Sequence, residues 1–131
     1  MSPTVVNYIR SALAWVALGV ILGALMNIVP DWNPYLKTAH AHINLLGWVS
    51  MFIFGVGYHI LPRFRGRPLH SEGLATTQLW LANIGLAGMV VFTTLLNSQG
   101  GDVLRGLVVI FSVVTALAFL IFVYNLGRTM G

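Results

Sequence analysis

The sequence predicts an all-α integral membrane protein, a bundle of four transmembrane helices, and three observations carry that prediction. Hydrophobic residues make up 57% of the chain. Charged residues make up 8%, where soluble domains carry about a quarter. Four apolar runs are each long enough to cross a hydrocarbon core of about 30 Å, which takes around 20 helical residues. Seven basic and three acidic side chains cannot cover a water-soluble surface at this length.

The spans are expected at about 8–28, 40–61, 74–96 and 104–126, within a single transmembrane domain covering 1–131. Apart from Arg10 in the first and Arg105 at the start of the fourth, none of them contains Lys, Arg, Asp or Glu. Pro30, Asp31, Asn33 and Pro34 close the first span, and Pro62 with the run Arg63 to Pro68 closes the second. Asn97 to Asp102, with two glycines, closes the third. These are turn-forming and helix-ending residues, and connections this short make neighbouring helices antiparallel. The first run is longer than the apolar core of a signal peptide, so it is expected to remain as a span.

Orientation follows from the basic residues. Arg10, Arg63, Arg65, Arg67 and Arg128 share one side, while Lys37 and Arg105 lie on the other. Five against two predicts both termini and the second loop in the cytoplasm, with a bacterial inner membrane as the expected location. Trp32, Tyr35, Trp80 and Tyr124 fall near span ends, where interfacial aromatics belong. The net charge of +4 is not a nucleic-acid signal, because the basic residues flank apolar runs instead of forming a stripe. The absence of cysteine excludes disulfides, thiolate metal sites and covalent haem attachment.

Ionisable groups inside a membrane default to function, and here they are few. All four histidines, His40, His42, His59 and His70, lie in or beside the second span. Residues two apart on an α-helix are separated by about 200°, so His40 and His42 point to opposite faces. They suit two sites flanking one helix better than one shared metal, for which an i,i+4 spacing serves. Asn44 and Gly47 fall near the His40 face and are expected to leave room for a flat ligand, with Trp48 close by. Neutral imidazoles in apolar surroundings suit haem iron better than zinc. His59 lies about 25 Å further along the helix, at the other end of the span, as an interfacial residue or a ligand of its own. His70 belongs to the basic loop. The bland reading is that a helix-end histidine simply bonds water, lipid or a loop carbonyl.

Gly19 and Gly23 form a G-x-x-x-G, and Gly85 and Gly88 thin another helix face, as close helix packing requires. Gln78 and Asn83 are expected to bond across helices. The acidic residues Asp31, Glu72 and Asp102 all fall in loops, so carboxylate catalysis or a carboxylate proton relay has no support. No nucleotide loop or nucleophile elbow is present.

The stretch His40-Ala41-His42-Ile43-Asn44-Leu45-Leu46-Gly47-Trp48-Val49, continuing through Gly57-Tyr58-His59-Ile60-Leu61-Pro62-Arg63, resembles the second helix of small proteins related to subunit I of haem-copper oxidases. The resemblance covers about a fifth of the chain and implies that the four helices correspond to one of the three four-helix arcs of that subunit. In that family a His-x-His on an equivalent helix serves a low-spin and a high-spin haem, so the resemblance implies haem b with His40 and His42 as iron ligands. It also implies haem at the non-cytoplasmic side, in agreement with the arginine count. The copper site of the family needs histidines on another helix, and this chain has no histidine outside 40–70. A homo-oligomer is therefore expected, a trimer in preference to a dimer. Each haem would be held by His42 of one subunit and His40 of the next, with Asn44, Gly47, Trp48 and His59 as further cofactor contacts. The function implied is electron transfer to or from an unidentified redox partner, or binding of a diatomic gas, without oxidase turnover by the chain alone. The rival reading is a non-haem accessory or assembly subunit, or a small transporter, in which the histidines are polar helix-end residues and membrane lipid is the chief partner.

Overall fold

The computed structural model describes all 131 residues and contains four long helices with no strand. The first helix spans Pro3–Ile28. Ser2 caps it, its hydroxyl accepting from the Val5 N–H, and Pro3 occupies the first turn, where a missing N–H costs nothing. The second helix is continuous over Pro30–Phe64. It begins as a tight turn at Pro30–Trp32, runs as α-helix through Asn33–His42, widens to a π-helix over Ile43–Ser50 and returns to α-helix at Met51–Phe64. The third helix, Glu72–Gln99, starts at Ser71, whose hydroxyl accepts from Leu74 N–H at 3.1 Å, with Glu72 at the positive end of the helix dipole. The fourth helix spans Asp102–Met130. Gly100 and Gly101, at φ +71° and +107°, make the whole turn between the third and fourth helices, a conformation that glycine adopts without steric cost.

Every helix begins before its predicted span, and all but the first, which ends at Ile28 as expected, run past the predicted end. The sequence windows mark the apolar part, while capped and amphipathic turns continue past it. Pro62 does not end the second helix, which runs on to Phe64. Near a C-terminal end proline removes one hydrogen bond and leaves the remaining turn free to form.

Polar side chains lie in the interior while many large apolar ones face outward. Gln78, Thr93, Thr115, Asn125 and Thr129 are buried, whereas Val20, Leu120, Val123 and Trp80 are each more than 60% exposed. This is the arrangement expected when lipid, not water, meets the outer surface, because lipid tails offer no reason to hide leucine. The chain is an integral membrane protein. Its core, in the half of the bundle nearer the arginines, joins Tyr8, Ala12, Met51, Phe54, Tyr58, Leu79 and Ala118. Phe54 packs edge-on to Phe119 at 4.9 Å and lies 4.5 Å from Phe122, centroid to centroid. Small residues let helices approach closely. A Cβ on Gly85 would lie 2.5 Å from the Thr115 hydroxyl, and one on Gly88 would lie 2.2 Å from the Phe111 ring, so these glycines join the third and fourth helices.

Candidate functional site

The His-x-His closes the α-helical first part of the second helix, immediately before the π segment. A π-helix follows i→i+5 bonding and is uncommon outside functional sites. Ser50 reinforces it by donating its hydroxyl to the Leu45 carbonyl at 2.8 Å. The sequence pattern held no signal for this segment, because its residues are apolar on all sides and suit either helix.

His40 faces the first helix. A Cβ on Gly23 would lie 2.9 Å from the His40 ring, and one on Gly19 would lie 2.8 Å from the Asn44 amide oxygen. The G-x-x-x-G is thus a notch that receives His40 and Asn44. Asn44 donates its amide to the His40 carbonyl at 2.8 Å, and the same nitrogen lies 3.3 Å from His40 Nδ1. The room expected for a flat ligand on this face is filled. Gly47 adds no space either, since a Cβ there would lie 2.6 Å from Trp15 and 3.0 Å from Leu86. The physical reason is that the glycines admit a neighbouring helix, which takes up the space they free. Trp48 packs on Phe52, 5.2 Å between centroids, and against the core.

His42 is different. It is half-buried, between the buried Ala39 and Ile43 on the same helix, and its Nδ1 is shielded with no hydrogen-bond partner. Such a group carries a desolvation cost of roughly 1–3 kcal/mol if left unpaired. A second orphan, the Thr93 hydroxyl, is buried on the third helix. Asn97 donates to the Tyr35 carbonyl at 3.3 Å, and Gly47 approaches Leu86. That antiparallel register sets Thr93 level with Ala39, within a turn of His42. Sequence reasoning did not single out Thr93, though the Thr93-Thr94 pair amid apolar residues was a signal. An apolar groove of about 320 Å³ opens nearby, with Ile43, Trp15, Leu22 and Val90 in its wall.

His59 sits at the other end of the same helix and is not brought to the pair. Its Nε2 lies 2.6 Å from Arg63 Nη1, which donates to it. Here the interior is a polar cluster. Tyr58 donates its hydroxyl to Gln78, and Asn125 clamps Ser71 through a 3.0 Å bond from the Ser71 N–H and a 2.8 Å bond to its carbonyl. The His70 N–H donates to Thr129 at 3.0 Å. Asn83 accepts from Trp15 Nε1 at 3.0 Å, so Gln78 and Asn83 do bond across helices as their placement predicts.

No three His, Cys, Asp or Glu side chains converge as a metal site. Of the pair, His42 keeps a shielded ring nitrogen without a partner, whereas His40 is engaged with Asn44 and the Gly23 notch.

Four antiparallel apolar helices with buried polar contacts and a helix-embedded histidine pair define a histidine-bearing membrane helical bundle. Residues 32–101, more than half of the chain, match the family described as cytochrome c and quinol oxidase polypeptide I, and the chain belongs to that family. The match takes in the second helix from Trp32 onward and the whole third helix, well beyond the His40–Arg63 stretch that carries the resemblance in the sequence. Among relatives, the chain is 33% identical over 93 residues to the cbb3-type cytochrome c oxidase subunit CcoN1 of Stutzerimonas stutzeri, covering 64% of this chain and 19% of that protein. It is 30% identical over 91 residues to a cytochrome c oxidase subunit 1 homolog of Agrobacterium tumefaciens (strain T37), covering 63% and 16% respectively. With cytochrome c oxidase subunit 1 of Rhodobacter capsulatus it shares 40% identity over 57 residues, 43% of this chain and 10% of the relative. The chain thus spans about a fifth or less of the length of the curated relatives it matches.

Proposed function

We propose that the chain binds haem b in the membrane, with His42 as an axial ligand, and serves electron transfer within an oxidase-related assembly. The observation that carries this reading is the buried, unpartnered Nδ1 of His42, on the part of the second helix that lies inside the family match. Haem iron held by imidazole supplies a one-electron carrier when both axial positions are filled, and a site for a diatomic gas when one is open. The part of the chain is to present the His42 ring from the second helix, beside the buried Ala39 and Ile43. On the same helix Asn44 holds His40 and Trp48 packs on Phe52.

His40 is engaged with Gly23 and Asn44 inside its own subunit, so a second axial ligand is to come from another copy or from a different residue. This favours a homo-oligomer in which copies meet along the His42 side, a trimer being the arrangement closest to three four-helix arcs. The engagement of His40 also favours a second reading, a non-haem accessory subunit in which the pair is purely structural.

An absorbance spectrum of the detergent-purified chain, oxidised and then dithionite-reduced, separates the two. Sharp reduced α and β bands in the wild type, lost in His42→Ala and retained in His40→Ala, are the expected result. A colourless protein from haem-supplemented cells overturns the haem reading and leaves the structural one.

A further inference from the structure

The arginine-rich end of the bundle holds a pocket of about 230 Å³ between the start of the first helix, the end of the second and the loop that follows. Its polar wall is His59, Arg63, Arg67 and Glu72, and its apolar floor includes Val5 and Leu69. At this end Arg10, Arg63, Arg65, Arg67 and Arg128 face one side-chain carboxylate, that of Glu72. Arg65 is taken up by the Met130 carbonyl. Arg63 is oriented by its bond to His59 Nε2, which uses one guanidinium nitrogen and leaves the rest of the fork free. Glu72 is drawn to the first turn of the third helix, so it balances the helix dipole as well as the arginines.

A concave site with two guanidinium forks, an excess of positive charge and an apolar floor matches a phosphate group, which arginine binds in a bidentate manner. Its volume exceeds that of several waters at about 30 Å³ each. Its level, just past Pro62 at the end of an apolar span, is that of lipid headgroups. We propose that this pocket binds a phosphate anion, with Arg63 and Arg67 as its ligands and the headgroup of an anionic phospholipid as the source. Basic clusters at this depth attract anionic lipids. A pocket with an oriented guanidinium adds a defined stoichiometry to that general attraction.

Native mass spectrometry of the full chain in detergent, with phosphatidylglycerol or phosphatidylcholine added, tests the proposal. One phosphatidylglycerol retained per chain, in preference to phosphatidylcholine, is expected. Retention should fall about tenfold in the double variant Arg63→Gln/Arg67→Gln and stay unchanged in Arg105→Gln at the opposite end. Glu72→Gln, which removes the pocket carboxylate, should raise retention, and this arm decides the matter if the double variant does not fold. Displacement by millimolar inorganic phosphate identifies the free anion as the occupant of the same site, and resistance to it identifies the lipid. Equal retention of the two lipids, or retention indifferent to both the arginine and the Glu72 substitutions, overturns the proposal.

Discussion

Glycine is the residue on which the closeness of this bundle depends, and its positions divide sharply by what they touch. Gly85 and Gly88 sit against Thr115 and Phe111, while Gly106 and Gly127 have nothing within 4 Å of an added Cβ. Gly85→Ala and Gly88→Ala are expected to cost about 1–3 kcal/mol through overpacking. Gly127→Ala should be neutral or stabilising by up to about 1 kcal/mol, since alanine is the better helix former. Thermal unfolding in detergent reads both, and equal effects at the two kinds of site would refute the packing account. The sequence shows where glycines recur, but not what fills the space they free. That is why His40 reads as an exposed ligand from spacing alone, yet lies in the Gly19/Gly23 notch. His42 differs in that its shielded ring nitrogen finds no partner in the fold, which is what the proposed ligand role rests on.

At the scale of the element, the second helix departs most from expectation. Four apolar spans, their order and their short connections were legible because membrane hydropathy and loop punctuation are strong signals. The π segment was not, since i→i+5 bonding leaves no compositional mark in Ile43-Asn44-Leu45-Leu46-Gly47-Trp48-Val49-Ser50. Its effect is to turn the histidine half of the helix relative to the Tyr58 half. Inserting an alanine beside Val49, which is 41% exposed, adds a residue beyond the one the wide turn already absorbs and should rotate the halves by about 100°. His40 and Asn44 would then leave Gly23 and Gly19. The insertion is expected to lower the melting temperature and abolish any His42-dependent absorbance. An unchanged melting curve and spectrum would show that the π turn is incidental.

For the whole molecule, the large apolar side chains on the outside make the protein dependent on lipid for solvation, and the charges at its ends are expected to set its direction. Both termini are expected in the cytoplasm of a bacterial host. A fluorescent protein fused after Gly131 should fluoresce, and alkaline phosphatase fused there should be inactive. The opposite pair of results would reverse the assignment of every loop. Which copies surround the bundle was not legible from one chain, because exposed leucine and valine serve lipid and a neighbouring subunit equally well.

The two-glycine turn at Gly100 and Gly101 has a mechanical consequence. It leaves no slack between the third and fourth helices, so the pair moves as one stiff strut. At the far end, Asn125 and Thr129 of that strut grip Ser71 and His70, tethering the loop that follows the second helix. The first helix is coupled to this strut through the Tyr8 hydroxyl on the Ala75 carbonyl and Trp15 Nε1 on Asn83, both at 3.0 Å, so a tilt of the strut is passed on to the His40 ring through Gly23.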